Sequence, residues 1–66
     1  MSVSEVKTLL ERDHGLRVNP RAISTIYYEG LLDAPVVAGR RQIAADQIPA
    51  LLQILRRRGR LTVARG

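Results

Sequence analysis

The sequence predicts a mainly α-helical domain of three helices with a small two-stranded β wing, in the order helix, turn, helix, hairpin, helix. Three observations carry that expectation. Asn19-Pro20 opens and Gly30 closes a segment in which Ile23, Ile26 and Tyr27 share one helical face. Ile48, Leu51, Leu52 and Leu55 repeat at helical spacing without a gap, the strongest periodic signal in the chain. Between these segments, Val36-Val37 and a run from Arg40 to Ile43 flank an Ala38-Gly39 turn.

The first helix is expected from about Glu5 to Asp13, with Ser4 as its cap and Val6, Leu9 and Leu10 as its apolar stripe, Val3 standing just ahead. Glu5 falls in the first turn, where the helix dipole favours an anion. Gly15 ends the helix beside His14, the only histidine, which reads as a solvated turn residue. Leu16 and Val18 are expected to plug the core from the turn, with Arg17 pointing outward between them.

The second helix is expected from Pro20 to Glu29. Asn19 accepts a hydrogen bond from an unpaired backbone N–H, and Pro20 has no N–H to leave unpaired. Arg21, Ser24, Thr25 and Tyr28 fall on the face opposite the apolar one. Such a helix suits a reading helix, and it also fits an ordinary amphipathic surface helix. Leu31 and Leu32 should return to the core before Asp33-Ala34-Pro35 breaks the chain.

On the returning strand of the hairpin, Arg41 and Ile43 should face one way, Arg40 and Gln42 the other. The arginines belong to a wing, or to a solvated loop. Asp46 is the expected cap of the third helix, with Pro49 in its first turn. That helix should end near Arg58 with Gly59 as its stop. Arg56, Arg57, Arg58 and Arg60 crowd this end, where they complement the helix dipole or clamp a phosphate. Leu61 and Val63 can fold back onto the core, and residues 61–66 otherwise read as a frayed tail.

At 66 residues the chain is expected to be a single domain spanning 1–66. It has no cysteine, so an aliphatic core must stabilise it, and a cytoplasmic location is expected. No apolar run approaches membrane-spanning length, and no signal-peptide pattern opens the chain. The net charge is +5 and uneven. Up to Pro35, four cations face five carboxylates; from Val36 on, seven arginines face only Asp46. A basic half favours a polyanionic partner. No phosphate-binding Gly-rich loop, metal-ligand spacing or nucleophile–base pair is found, so neither enzyme activity, metal nor cofactor is expected.

Some spacings are shared with a known family. Arg21 opens the second helix, Ile23 lies two residues later, and Gly30-Leu31 begins nine after Arg21. In the wing, Gly39 precedes the basic pair Arg40-Arg41, then Gln42 and Ile43. In these features the chain, from about Val3 to Leu61, resembles the MerR-like winged-helix domains of MerR-type transcription regulators and of small phage or plasmid excisionases. The Tyr27-Tyr28 pair sits two residues later than the family's tyrosine pair. MerR-type regulators continue into a long pairing helix and an effector domain, so the likeness here is to single-domain members. The resemblance implies a winged helix-turn-helix that binds double-stranded DNA as a transcription regulator or recombination directionality factor. Arg21, Ser24, Thr25 and Tyr28 would then contact bases in the major groove. Arg17, Arg40, Arg41, Arg57 and Arg58 would hold the backbone or the adjacent minor groove. Further copies of the chain on adjacent sites, a recombinase or a polymerase are the implied protein partners. The alternative reading is a protein-interaction module that docks through the third helix with Leu61 and Val63. RNA binding is disfavoured by the presence of only two aromatic residues.

Overall fold

The computed structural model describes residues 1–63. Its helices are α1 (Val3–His14), α2 (Pro20–Tyr28) and α3 (Ile48–Arg57), the last preceded by a 3-10 turn over Ala45–Gln47. Four two-residue strands form two antiparallel pairs. β1 (Leu16–Arg17) pairs with β4 (Thr62–Val63), and β2 (Val36–Val37) pairs with β3 (Arg40–Arg41). The expected mainly α fold with a small β wing is therefore the fold observed.

α1 starts earlier than expected. Its cap is Ser2, not Ser4: the Ser2 hydroxyl accepts from the Glu5 N–H, and the Glu5 carboxylate accepts from the Ser2 N–H at 2.8 Å. This reciprocal pair needs an acidic residue three after the cap, a spacing that Ser2 has to Glu5 and Ser4 does not. The two Ser2 hydrogen bonds hold the Glu5 carboxyl below its ordinary pKa, and the Arg40 charge adds a smaller pull in the same direction.

α2 forms as its sequence dictates. The Asn19 side chain accepts from the Arg21 N–H at 2.9 Å, and Pro20 takes the first turn. At the other end Gly30 adopts φ 81°. There the Gly30 N–H donates to the Tyr27 carbonyl and the Leu31 N–H to the Ile26 carbonyl. This double closure needs a left-handed residue, which glycine supplies without strain. Gly59 closes α3 in the same way, with Gly59 N–H on Arg56 and Arg60 N–H on Leu55. Leu31 emerges from the closure half-exposed rather than in the core; Leu32 packs against the core.

The Asp46 cap is not found. Residues 45–47 coil into the 3-10 turn, and the residue at the α3 N-cap is Gln47, whose side chain makes no capping bond. Gln47 instead reaches sideways, donating to the Asp33 carbonyl at 2.6 Å and accepting from the Tyr27 hydroxyl at 2.9 Å. Pro49, near the helix start, removes one N–H that a cap would have had to satisfy.

The core is aliphatic and continuous. Val6 and Leu10 of α1, Ile23, Ile26 and Tyr27 of α2, and Ile48, Leu51 and Leu55 of α3 meet Val18 and Ile43 in one buried cluster. The apolar stripe of α3 is thus spent inside the molecule, with Leu52 and Ile54 at its margin. Two features differ from the expected tail and strand. Thr62 and Val63 are paired to the α1–α2 connection, not frayed, and the Thr62 hydroxyl donates to the Arg17 carbonyl. Residues 64–66 of the expected tail lie outside the described residues. The returning wing strand covers only Arg40–Arg41; Gln42 N–H still donates across the hairpin to the Pro35 carbonyl, and at Ile43 the chain changes partner. Ile43 exchanges two backbone hydrogen bonds with Met1, at 2.6 and 2.7 Å.

Leu51→Ala is expected to lower the unfolding free energy by about 2–5 kcal/mol, because the side chain is fully enclosed and its loss leaves a cavity that the surroundings fill only in part. A denaturant titration followed by circular dichroism measures this. A midpoint unchanged from the parent would mean that α3 does not pack as described.

Candidate nucleic-acid interface

The α2 helix presents Arg21, Ser24 and Tyr28 to solvent, and Tyr28 is 88% exposed. Its buried face is committed to the core, so these side chains stand on a rigidly held backbone. Thr25 differs from the other three. It is half-buried, and its hydroxyl donates to the Arg21 carbonyl at 2.8 Å, which leaves only the oxygen lone pairs for a ligand.

The wing sits beside this face. Its turn places Ala38 at φ 52° and Gly39 at φ 76°, the double left-handed geometry of a tight hairpin whose twist matches its strands. Ala38 takes the first of these left-handed positions without glycine's freedom, and Gly39 takes the second. The two wing arginines, adjacent in sequence, have different surroundings. Arg40 is exposed. Arg41 is half-buried; its guanidinium donates to the Ala34 carbonyl at 3.2 Å and lies 5.4 Å from the Tyr27 ring centroid. Such a cation–ring contact is favourable, and stronger when partly desolvated. Arg41 therefore fastens the wing to α2, and Arg40 is the wing cation left free for a partner. The alternation that put Arg41 on the side of Ile43 carried this distinction.

Two open grooves flank the outer face of α2. One, of about 560 Å³, lies between α2, the wing and the start of α1, and is lined by Ser4, Ser24, Tyr28, Val36, Arg40 and Arg41 among others. The second, of about 510 Å³, lies between α2 and the end of α3, and is lined by Asn19, Arg21, Ala22, Thr25, Arg58 and Arg60. Both offer guanidinium and hydroxyl or amide groups, the donors that suit an anionic oxygen. Arg17 stands exposed on β1 and Arg57 exposed at the end of α3, and neither lines a groove. Arg58 is held by Glu29, with Nη2 and Oε1 at 2.5 Å. Arg60, expected with its neighbours as a phosphate clamp or a dipole partner, lines the second groove; Asn19, read only as a cap, lines it too, and the Glu29 partnership with Arg58 is visible only in the fold.

His14 is exposed at the end of α1. Among the described residues, no group of three or more His, Cys, Asp or Glu side chains could hold a metal ion, and no helix is long and apolar enough to cross a membrane. No protein-family model, curated protein or solved structure matches the chain.

Burial raises the Tyr27 phenol above its ordinary pKa of 10.0, against a smaller opposing pull from Arg41. The folded chain thus holds this proton more tightly than the unfolded chain does. The resulting stabilisation is complete below pH 10.0 and is lost as pH rises through the folded value. In Tyr28→Phe, which retains only Tyr27, an absorbance titration is expected to give a midpoint above 10.0. A midpoint at or below that value would mean that the ring is not enclosed between α3 and the wing.

Proposed function

We propose that this chain binds double-stranded DNA, with α2 in the major groove and the β2–β3 wing on the adjacent minor groove or its phosphates. One observation carries the reading: the exposed face of α2 and the exposed wing cation Arg40 border a single groove that also holds Ser4, Ser24 and Tyr28. A major groove about 12 Å wide admits one helix, and the strand beside that helix must then pass between helix and wing. The groove supplies donors along that path. The winged helix-turn-helix arrangement and the charge of the second half of the chain support the same reading.

In this arrangement Arg21 reads a base edge, because arginine matches the two acceptors of guanine. Ser24 and Tyr28 contact bases or the flanking sugar-phosphate, and Thr25 offers only its lone pairs. Arg40, Arg17 and Arg57 contribute charge to the backbone and thereby affinity without sequence choice. Arg41 acts chiefly by holding the wing at its angle. A single module of this kind buries about 600–1,000 Å² on DNA, so tight occupancy calls for several copies on adjacent sites or for a protein partner. The biological role that fits is that of a transcription regulator or a recombination directionality factor acting inside the cell. A docking role for α3 has less support, since Ile48, Leu51 and Leu55 are buried within the chain itself.

Selection of bound sequences from a randomised duplex pool, followed by anisotropy titrations across salt concentrations, tests the reading. Arg21→Ala is expected to erase most of the preference for the selected duplex over a scrambled one, worth about 1–3 kcal/mol, while general binding persists. Equal loss on both duplexes would make Arg21 a phosphate contact. Arg40→Ala is expected to weaken binding to any sequence and to lower the salt slope by about 0.9. A slope that does not move would remove the wing from the interface. A parent chain that selects no duplex and binds none would overturn the reading as a whole.

A further inference from the structure

The cleft on the α3 side of α2 shares Arg21 and Thr25 with the reading above, but Arg58 and Arg60 have no part in that reading. Three guanidinium groups, those of Arg21, Arg58 and Arg60, line it, and no carboxylate is among its lining groups. One carboxylate nevertheless controls it from the edge. Glu29 holds Arg58 across the α2–α3 junction, and both side chains remain open to solvent, 44% and 36% exposed. Ala22, Thr25 and Glu29 follow one another on one stripe of α2, so the ion pair lies in line with the cleft. A carboxylate gripped by a guanidinium makes the same charge-assisted bond that a phosphate oxygen would make.

We propose that Arg58 and Arg60 clamp a phosphodiester of the second DNA strand at this cleft, and that Glu29 is the built-in competitor of that phosphate for Arg58. Arg58 exchanges the Glu29 carboxylate for a phosphate oxygen when the duplex docks. The inference rests on the DNA reading and deepens it. A helix lying in a major groove has one sugar-phosphate strand on each flank. Ser24 and Tyr28 border the wing groove on one flank of α2; Ala22 and Thr25 border this cleft on the other. The exchange is cheap because exposed ion pairs are weak. Affinity is therefore set below what the arginines alone would give, and Glu29 sets it.

The test compares the parent chain with Glu29→Gln, Arg58→Gln and the double variant on one selected duplex, with thermal melts to show that each is folded. Glu29→Gln is expected to tighten binding about two- to fivefold, the range set by an exposed ion pair. Arg58→Gln is expected to weaken it and lower the salt slope by about 0.9. In the double variant the gain from Glu29→Gln disappears. Glu11→Gln, which removes a carboxylate paired with Lys7 on α1, controls for net charge alone. The clamp is overturned if Glu29→Gln gains as much without Arg58 as with it, or no more than Glu11→Gln gains. Should Arg58→Gln unfold, Arg60→Gln carries the slope measurement, and an unmoved slope overturns the clamp equally. If the parent binds no duplex, the DNA reading fails and the clamp with it; parent binding with additive substitutions removes the clamp alone.

Discussion

The side chain of Tyr27 is where the parts of this small chain are tied together. Its ring is buried among the aliphatic residues of the core, and it also meets two polar partners, one at the hydroxyl and one at the ring face. The hydroxyl donates to Gln47 at the start of α3, and Gln47 in turn holds the Asp33 carbonyl in the connection that leads to the wing. The ring face carries the Arg41 guanidinium of the wing itself. A chain of this size has too little core to fix the angle of a two-residue hairpin by packing alone. The fold answers with one aromatic residue that is apolar where it meets the core and polar where it meets α3 and the wing.

This division explains which parts of the fold were legible in the sequence. α2 was read correctly almost to the residue because its signals are local: Asn19 and Pro20 at one end, Gly30 at the other, and Ile23, Ile26 and Tyr27 at helical spacing between. The α3 stripe was legible for the same reason. The start of α1 was legible in principle, since Ser2 and Glu5 stand at the spacing of a reciprocal cap, but Ser4 offered a competing serine nearer the apolar run. The Asp46 cap failed for a different reason. A capping residue acts only if the backbone leaves the helix there, and residues 45–47 instead coil on as a tighter turn. The β1–β4 pair left no periodic trace, because two residues are too few for alternation and their partners lie more than forty positions away. Within the candidate site, the exposure of Arg21 and Tyr28 followed from helix geometry. The Glu29–Arg58 pair joins the ends of two helices, and only the fold reveals it.

The distribution of charge follows the same logic. The ion pairs Lys7–Glu11 and Arg12–Asp13 are confined to α1, so that helix largely neutralises itself. Exposed pairs of this kind add little to stability. Their consequence is electrostatic: they leave the arginines of the second half of the chain as the main source of field. The fold then brings that half against α2 from two directions, with the wing on one side and the end of α3 on the other. A charge imbalance that is merely sequential in the chain becomes a spatial one around a single helix.

Proposed recognition by α2 depends on rigidity more than on the number of donors. Contacts to base edges discriminate only when the backbone that carries them is held to within a fraction of an ångström. α2 meets that requirement at both termini and along its inner face: a capped start, a doubly closed end, and three buried side chains in a helix of nine residues. None of those stabilising groups is among the outward side chains, except the Thr25 hydroxyl bound to its own helix. Arg21, Ser24 and Tyr28 are thus free of structural duty, and changing them should have little effect on folding. Arg41 and Tyr27 have the reverse character. The separation leaves the outer face of α2 free to vary without disturbing the aromatic tie between helix and wing beneath it.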